Sequence, residues 1–540
     1  MRNIIDRDIA RLEEDIRALR SRRNELSPIS RIPAEILCYI FSLLSRTRSP
    51  GSWSNFSQVS QCWRSSALSA PEIWTKIPLS YPRWVQEMLI RSKMAKLTIR
   101  SDLFLDGSDL WLRSETKAIE TVRSCLYEMN RVEEINLTVF RQAILGKIFR
   151  DLPKSAPQLH TLCIGGVFSI HEDFLYNTER LQRVELNHCK ISWDSRLLTG
   201  LTHLTLRDSL EANASIIQVL HALQRMPALT ELYLGDSLPD DSGGTSTIPV
   251  VDLPYLRMLH ISSCVGPLTT ILRHITFPLS AILNLTCKEK TTQFHFSNFL
   301  SVLATKFLSS LVIRSLQVSL LDTDGYSLTF RPWTTTFIQD CFPSPSSLIP
   351  QSQLQLVLTW PKSRRQNQWK VLTSAFDAMR LSFLTQLQLS NLSCIDSQTW
   401  VKTFGQLPLL ERVHLKSSAP NSLLEALVYK TKAAEESKTA YRSVSFPKLR
   451  NIHLEGTYFD AKNPRLTIIS IEELLDYLME RCKRKAEIQV LRLENCYYIS
   501  SDDVERLEEI VVDVIWDGVE RAESDEEFQA EEDSEGDNYY

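Results

Sequence analysis

The chain has 540 residues, of which 43% are hydrophobic, 9% aromatic and 23% charged, a composition typical of a folded chain with several domains. Its most apolar stretches, such as 466–471 and 510–516, are much shorter than the roughly 20 residues that a membrane-spanning helix needs. Charged residues interrupt every apolar run near the N-terminus, so the continuous core of a secretory signal is missing. We therefore expect an intracellular protein, in the cytoplasm, the nucleus or both, that is not inserted in a membrane.

The formal net charge of −4 is unevenly distributed. Residues 522–540 contain nine Asp and Glu and neither Lys nor Arg, so the remainder of the chain carries +5. We predict a disordered acidic tail over 516–540. The sequence shows no basic stripe with interleaved aromatic residues, and we expect no binding to nucleic acid.

The eleven cysteines are scattered and form neither a Cys-x-x-Cys pair nor a zinc-type Cys/His spacing. Phosphate-cradling glycine motifs are missing as well. We therefore predict no metal ion, no disulfide framework and no cofactor.

The first predicted element is a heptad helix over 1–27. Its apolar residues follow a spacing of three and four, with Arg23 at one seam position; they are Ile5, Ile9, Leu12, Ile16, Leu19 and Leu26. About three heptads are close to the lower limit for an autonomous coiled coil. The sequence leaves open whether this helix forms a homodimer, packs locally or stays loose.

Two amphipathic helices are predicted after Pro28. The first has Pro33 at its N1 position and Glu35 in its first turn. The apolar side chains that we expect it to bury are Ile36, Leu37, Ile40, Phe41, Leu43 and Leu44. After a loop over 46–54, the second helix ends before Pro71, and its apolar positions are Phe56, Val59, Cys62, Trp63 and Ala67.

This region resembles an F-box. The matching pattern is Ile32-Pro33-x-Glu35-Ile36-Leu37-x-x-Ile40-Phe41-x-x-Leu44, then Val59-Ser60-x-Cys62-Trp63-Arg64-x-x-Ala67 and Pro71-Glu72-Ile73-Trp74. It is similar to the F-box-like domain of fungal proteins, which often have a short heptad helix upstream and leucine-rich repeats downstream. The longer loop over 46–54 departs from the family pattern but lies outside the matched positions.

The resemblance implies docking onto a Skp-family adaptor, and through it onto a cullin and a RING subunit. The side chains implied in adaptor contact are Ile32, Pro33, Ile36, Leu37 and Ile40, with Val59, Trp63 and Trp74 completing the apolar surface. Some of these side chains must instead form the core of the small domain, and the sequence does not divide the two sets.

A Leu-x-x-Leu-x-Leu unit recurs along the rest of the chain. Clear copies start at Leu159, Leu181, Leu201, Leu229, Leu256, Leu384, Leu410, Leu449 and Ile488, and weaker ones at Met94 and Val132. The first intervals, of 22, 20, 28 and 27 residues, match the period of about 20–29 residues in leucine-rich repeats. Residues 287–380 fit poorly and are interpreted as an insertion or as degenerate repeats.

The fold class that we predict is α/β: a small all-helical F-box domain at 28–80, followed over 81–515 by an irregular leucine-rich-repeat solenoid. Short parallel strands would line its concave side and helices its convex side. The fourth and sixth residues of each unit should point into the core and the third and fifth outward. Outward residues predicted to bind a target are His203, Glu231, Tyr233, Met258, Arg412, His414, His453 and Arg492.

Two features suggest chemistry but have structural explanations. Cys189, Cys264 and Cys496 each follow the last strand position of a unit by three residues, which is the Asn/Cys position of leucine-rich repeats. The tetrapeptide 235–238, Gly-Asp-Ser-Leu, matches a hydrolase motif, yet it merely terminates a repeat strand and lacks the other blocks of that family.

We therefore expect a non-catalytic protein, the substrate-recognition subunit of an SCF-type E3 ubiquitin ligase. Its partners would be the Skp-family adaptor, a cullin and an unknown protein target. The alternatives are a non-degradative scaffold and a plain leucine-rich-repeat binding protein, and an esterase that uses Ser237 is a third.

Overall fold

The computed structural model describes residues 2–47, 54–79, 82–101, 115–139, 144–209, 214–239, 248–289, 296–322, 325–336, 352–362, 368–392, 395–418, 420–428, 445–459 and 469–521. The chain divides into two compact units, Met1–Pro239 and Asp240–Tyr540, and the predicted repeat region is distributed over both. Most of the predicted acidic tail, from 522 onward, lies outside the described residues. Across the described ranges, no helix combines the length and the apolar content of a membrane span.

The first unit begins with helix α1, Arg2–Glu25, which buries none of its side chains. Its predicted seam is exposed, and dimerisation through that seam stays a prediction. The small helices that follow are α2 (Ala34–Thr47) and α3 (Gln61–Ser69), with 3-10 turns at Pro28–Arg31, Ser54–Gln58 and Pro71–Trp74.

The described residues of the first unit that follow include a seven-stranded parallel sheet. Its strands are β1 (Lys76–Pro78), β2 (Leu97–Ser101), β3 (Val132–Thr138), β4 (Thr161–Ile170), β5 (Arg183–Ile191), β6 (His203–Arg207) and β7 (Glu231–Gly235). Each strand pairs with the next one in the chain. The connecting helices are α4 (Pro82–Arg91), α5 (Glu115–Leu126), α6 (Ile144–Phe149) and α7 (Ile216–Gln224), with a 3-10 turn at Met129–Arg131.

The second unit contains a ten-stranded sheet. Its strands are β9 (Met258–Cys264), β11 (Ile282–Lys288), β12 (Ser315–Asp322), β13 (Gly325–Trp333), β14 (Leu354–Pro361), β15 (Gln386–Ser390), β16 (Arg412–Lys416), β17 (Asn451–Glu455), β18 (Val490–Glu494) and β19 (Asp513–Trp516). The two-residue strands β8 (Val251–Asp252) and β10 (Ile275–Thr276) form a separate parallel pair.

Seven helices accompany the strands of the second unit in its described part. They are α8 (Val265–His274), α9 (Phe296–Lys306), α10 (Gln368–Ala378), α11 (Ser397–Thr403), α12 (Asn421–Val428), α13 (Ile471–Lys483) and α14 (Ser501–Glu508), with 3-10 turns at Leu308–Ser310 and Leu381–Phe383. Ser470 and Ser500 start α13 and α14 with capping boxes, which satisfy the first free backbone N–H groups of each helix.

In the sheet of the second unit, one strand between β11 and β15 is antiparallel to both of its neighbours. Strand β14 pairs in parallel with β11, then antiparallel with β13, which pairs antiparallel with β12. Strand β12 in turn pairs in parallel with β15, and β15–β19 continue in chain order. The segment that fits the repeat poorly therefore supplies three strands, one of which runs against the others.

Strand residues alternate between the core and the exposed face, as a period of two requires. In β16 and β17 the buried residues are Val413, Leu415, Ile452 and Leu454, while the residues between them are half-buried or exposed. The predicted fold class is thus confirmed: a mixed α/β chain in which a helical N-terminal region is followed by solenoid-like parallel sheets.

One turn is repeated after many strands, at the phase of the Asn/Cys position. The residue two positions after the last buried leucine of each unit has positive φ: His188 within β5, and Asp208, Asp236, Ser417 and Asn495 just after their strands. The next residue is buried, and its polar side chain donates to a backbone carbonyl, as Cys189 does to Gly166 and Ser209 to Leu186. Left-handed backbone explains why Asp and Asn recur there, because these side chains tolerate that conformation best after glycine.

Ser237 occupies this structural position and not a catalytic one. Its side chain is fully buried, donates to the Gly235 carbonyl at 2.9 Å and accepts from the Ser209 backbone N–H at 3.3 Å. Cys496 has the same role, whereas Cys264 differs, because it is half-buried and forms the N-cap of α8. Cys189, Cys496 and Ser237 are thus explained as turn residues whose buried side chains hydrogen-bond to backbone carbonyls.

Candidate functional site

Helix α2 divides its apolar residues between two faces. Leu37 and Phe41 are fully buried. Ile36 and Ile40 are 50% and 37% exposed, and Leu43 is 42% exposed. The exposed three are spaced by four and three residues and so lie along one stripe of the helix. We call Ile36, Ile40 and Leu43 the α2 stripe.

The buried face of α2 packs against aromatic side chains. The ring of Phe41 stacks on Phe56, with centroids 4.1 Å apart and planes within 6°, and Trp63 lies 5.2 Å from Phe41. Trp74 is fully buried, and its Nε1–H donates to the Ala67 carbonyl at 2.8 Å. These buried contacts do not involve the α2 stripe, whose residues are partly exposed.

The structure separates core residues from surface residues among those predicted to touch the adaptor. Leu37 and Trp74 are buried and belong to the core, a division that the sequence left open. Exposed residues are Pro33, Ile36, Ile40 and Val59, while Ile32 and Trp63 are half-buried. The prediction that Ile36, Ile40 and Leu43 are buried is wrong, because the aromatic core packs against the opposite face of α2, which carries Phe41.

The exposed face of the second unit has a depression over β12 and β15–β19, lined by both polar and apolar side chains. Its polar lining includes Ser315, Gln386, Gln388, Arg412, His414, Asn451, His453 and Arg492. Strand register places His414 beside His453 and His453 beside Arg492. Four of the predicted target-binding residues, Arg412, His414, His453 and Arg492, are therefore brought together.

Glu455 links His414, which lines this depression, to Lys416. Its Oε2 accepts from His414 Nε2 at 3.0 Å and its Oε1 from Lys416 Nζ at 2.6 Å. The hydrogen bond from His414 is the main reason that the pKa of Glu455 falls to about 2, with the bond and charge of Lys416 adding to it. Glu455 is thus ionised at neutral pH.

His453 lies beside this pair, with its ring stacked on that of His414 at 3.8 Å between centroids and 8° between planes. Its Nε2 is buried and has no hydrogen-bond partner among the described residues, although Glu494 Oε2 lies 3.2 Å away. Arg492 Nε already donates to the other oxygen of Glu494 at 2.7 Å. Burial, followed by the charges of His414 and Arg492, lowers the pKa of His453 to about 3, so its imidazole is neutral at physiological pH.

The remaining predicted target residues lie elsewhere. In the first unit, His203 Nε2 is 3.7 Å from Glu231, and Arg207 lies over the ring of Tyr233 at 4.3 Å. Met258, in the second unit, is on β9, six strand positions from β16 and so roughly 28 Å away at ~4.7 Å per strand. Met258 therefore does not line this depression.

Sequence reasoning missed Glu455 and Glu494. Each directly follows the last buried leucine of its strand, Leu454 and Leu493, and faces the same side as the predicted outward residues. A recurring glutamate at this position was the available signal. Its meaning depends on strand register, which places the two glutamates side by side.

The N-terminal helical domain thus has an exposed apolar stripe, and parallel sheets follow it in the chain. Residues 29–80 match a family described as F-box-like, and this part of the chain is an F-box-like domain.

Comparison with solved structures gives matches to 11 chains. One belongs to "Crystal structure of Rad7 and Elc1 complex in yeast"; it is 15% identical, with a TM-score of 0.26, and the match covers 83% of this chain and 96% of that one. A TM-score of 0.26 is too low to establish a common fold. No curated protein matches this sequence.

Proposed function

We propose that this chain is the substrate-recognition subunit of an SCF-type E3 ubiquitin ligase. The observation that carries the proposal is the α2 stripe: three exposed aliphatic residues on the first helix of an F-box-like domain whose buried aromatic contacts do not involve them. Exposed apolar side chains grouped on one face are typical of a protein-binding site. Its partner would be a Skp-family adaptor, which connects to a cullin and a RING subunit.

The chain would contribute proximity and orientation, and no catalytic group of its own. The adaptor-bound F-box-like domain would fix one end, while the polar faces of the parallel sheets hold a protein target near the charged ubiquitin-conjugating enzyme. Arg412, His414, His453 and Arg492 are the residues that we propose for target contact in the second unit. An intracellular location, where the adaptor and cullin are found, is part of the same proposal.

Co-purification with a Skp-family adaptor tests the proposal. The tagged full-length chain and the adaptor would be co-expressed, captured through the tag and analysed by size-exclusion chromatography. A stoichiometric complex supports the proposal. A chain that elutes alone while remaining folded by circular dichroism contradicts it and leaves a binding protein without ligase function.

A further inference from the structure

We propose that His414, His453 and Glu455 form a binding site for a divalent transition metal ion, with zinc as the best fit. The residues belong to the neighbouring strands β16 and β17 of the second unit. One ligand atom from each of the three lies within 4.8 Å of the others. The site is independent of the α2 stripe, so it does not depend on the proposed ligase role.

Strand geometry presents the three groups from one side of the sheet. His414 and His453 are direct partners in the parallel register, and Glu455 is two residues beyond His453, on the same face. Zinc ligands at bond lengths of about 2.0–2.2 Å are about 3.4 Å apart in tetrahedral geometry. Atoms no more than 4.8 Å apart reach that spacing by shifts of less than about 1 Å each, and the stacked rings of His414 and His453 would also rotate so that both nitrogens point at the ion.

The donor set suits zinc. Two imidazole nitrogens and one carboxylate oxygen are ligands that zinc, copper, nickel and cobalt accept, whereas calcium and magnesium prefer oxygen alone. Three protein ligands leave a fourth position, which would be filled by water or by a group of a molecule bound in the depression. The coordination is the kind found where zinc remains open to an outside ligand.

The unpartnered nitrogen of His453 is a second observation that points to a ligand. A buried imidazole nitrogen without a hydrogen-bond partner has a free-energy cost, which a metal–nitrogen bond would remove. Glu494 Oε2 lies 3.2 Å from that same nitrogen, so a metal ion bound there would have this carboxylate directly beside it. On Glu455, Oε1 accepts a hydrogen bond from Lys416, and Oε2 accepts one from His414, whose Nε2 proton a metal ion would replace.

The neighbouring cations oppose metal binding only in part. Lys416 and Arg492 lie close to the site, but each is paired with a glutamate, at 2.6 Å to Glu455 and at 2.7 Å to Glu494. These two ion pairs offset the charges of Lys416 and Arg492, while Arg412 is a further cation that lines the same depression. The two glutamates therefore reduce the repulsion that a divalent cation would meet here.

The test uses the full-length chain after treatment with a chelator and dialysis. Zinc is titrated by calorimetry, and cobalt(II) is titrated while visible absorption is recorded. We expect one saturable site, with cobalt bands of tetrahedral or five-coordinate nitrogen and oxygen ligation and no thiolate charge-transfer band. His453→Gln and Glu455→Gln should each weaken binding by more than the roughly 10–100-fold that loss of an outer-shell partner costs.

Matched controls come from the first unit, where His203 and Glu231 form a similar cross-strand pair at 3.7 Å. His203→Gln and Glu231→Gln should leave the affinity unchanged. Circular dichroism shows whether each variant is folded. If His453→Gln or Glu455→Gln is unfolded, His414→Ala is tested in its place. Absence of saturable binding by the wild type, thiolate bands in the cobalt spectrum, or equal affinity in folded site variants would overturn the proposal.

Discussion

Trp74 Nε1 donates a hydrogen bond of 2.8 Å to the carbonyl of Ala67, and both residues are fully buried. The bond joins the last turn of α3 to the 3-10 turn Pro71–Trp74. Arg91 lies over the same indole at 4.6 Å, so that helix α4 also contacts Trp74. Trp74 thus connects α3, the 3-10 turn Pro71–Trp74 and helix α4, which follows the F-box-like domain.

Replacing Trp74 should therefore destabilise the domain strongly. We expect Trp74→Ala to lower the free energy of unfolding by about 3–5 kcal/mol, because it leaves a cavity and an unpaired carbonyl. Urea denaturation measures the change. Trp84→Ala serves as the control, since Trp84 is 39% exposed and should cost much less.

Two adjacent residues of α2 should separate stability from binding. Leu37→Ala removes a fully buried side chain and should cost about 2–5 kcal/mol. Ile36→Ala changes a half-exposed side chain and should cost less than about 1 kcal/mol, while weakening adaptor binding. Thermal melts of both variants, compared with adaptor affinity, check this; equal losses of stability would contradict the assignment of faces.

The thiol of Cys189 should be unreactive in the folded protein. Burial raises its pKa to about 12, so the nucleophilic thiolate is scarce at pH 8, and reactivity should rise only as pH approaches 12 or when the chain unfolds. Cys62, which is exposed, should be alkylated readily. Mass spectrometry after a short treatment with iodoacetamide measures both sites, and early modification of Cys189 would count against its structural role.

The pKa shift of Cys189 also has a consequence for stability. The folded state holds this proton more tightly than the unfolded chain does, so its contribution is present below about pH 9 and is lost as pH rises towards 12.

Ser237 should matter for stability and not for hydrolysis. Ser237→Ala leaves the buried Ser209 N–H without its acceptor, which should cost about 1–3 kcal/mol. A fluorophosphonate probe should not label Ser237 in the folded chain, because its hydroxyl is buried and donates to the Gly235 carbonyl. Stoichiometric labelling that disappears in Ser237→Ala would restore the hydrolase alternative.

The strands could be predicted where local spacing determines the fold. The Leu-x-x-Leu-x-Leu units from Leu159, Leu201 and Leu410 lead into β4, β6 and β16, because alternation with a period of two is sufficient to define a half-buried strand. The F-box-like pattern was equally local, with Phe41, Trp63 and Trp74 at fixed distances. These features need no knowledge of distant partners.

Other features depend on contacts that the sequence does not specify. The reversal at β13 results from which strand β12 and β14 pair with, a long-range choice that periodicity leaves open. Leu37 and Ile36 are both aliphatic, and only the position of the Phe41–Phe56 stack decides which one faces inward. The grouping of His414, His453 and Glu455 likewise requires the register of two strands whose residues are 39 positions apart.

The most direct test of the account compares adaptor binding by three folded proteins: the wild type, the double variant Ile36→Glu/Ile40→Glu, and Ile90→Glu. Ile90, on α4 and outside the F-box-like match, is 71% exposed and provides the same substitution at another surface. Affinity for a purified Skp-family adaptor is measured by calorimetry. We predict tight binding by the wild type and by Ile90→Glu, and a loss of at least about 100-fold in the double variant, since each glutamate would place a charge in an apolar interface. Wild-type binding that the double variant retains would contradict the proposed role of the α2 stripe.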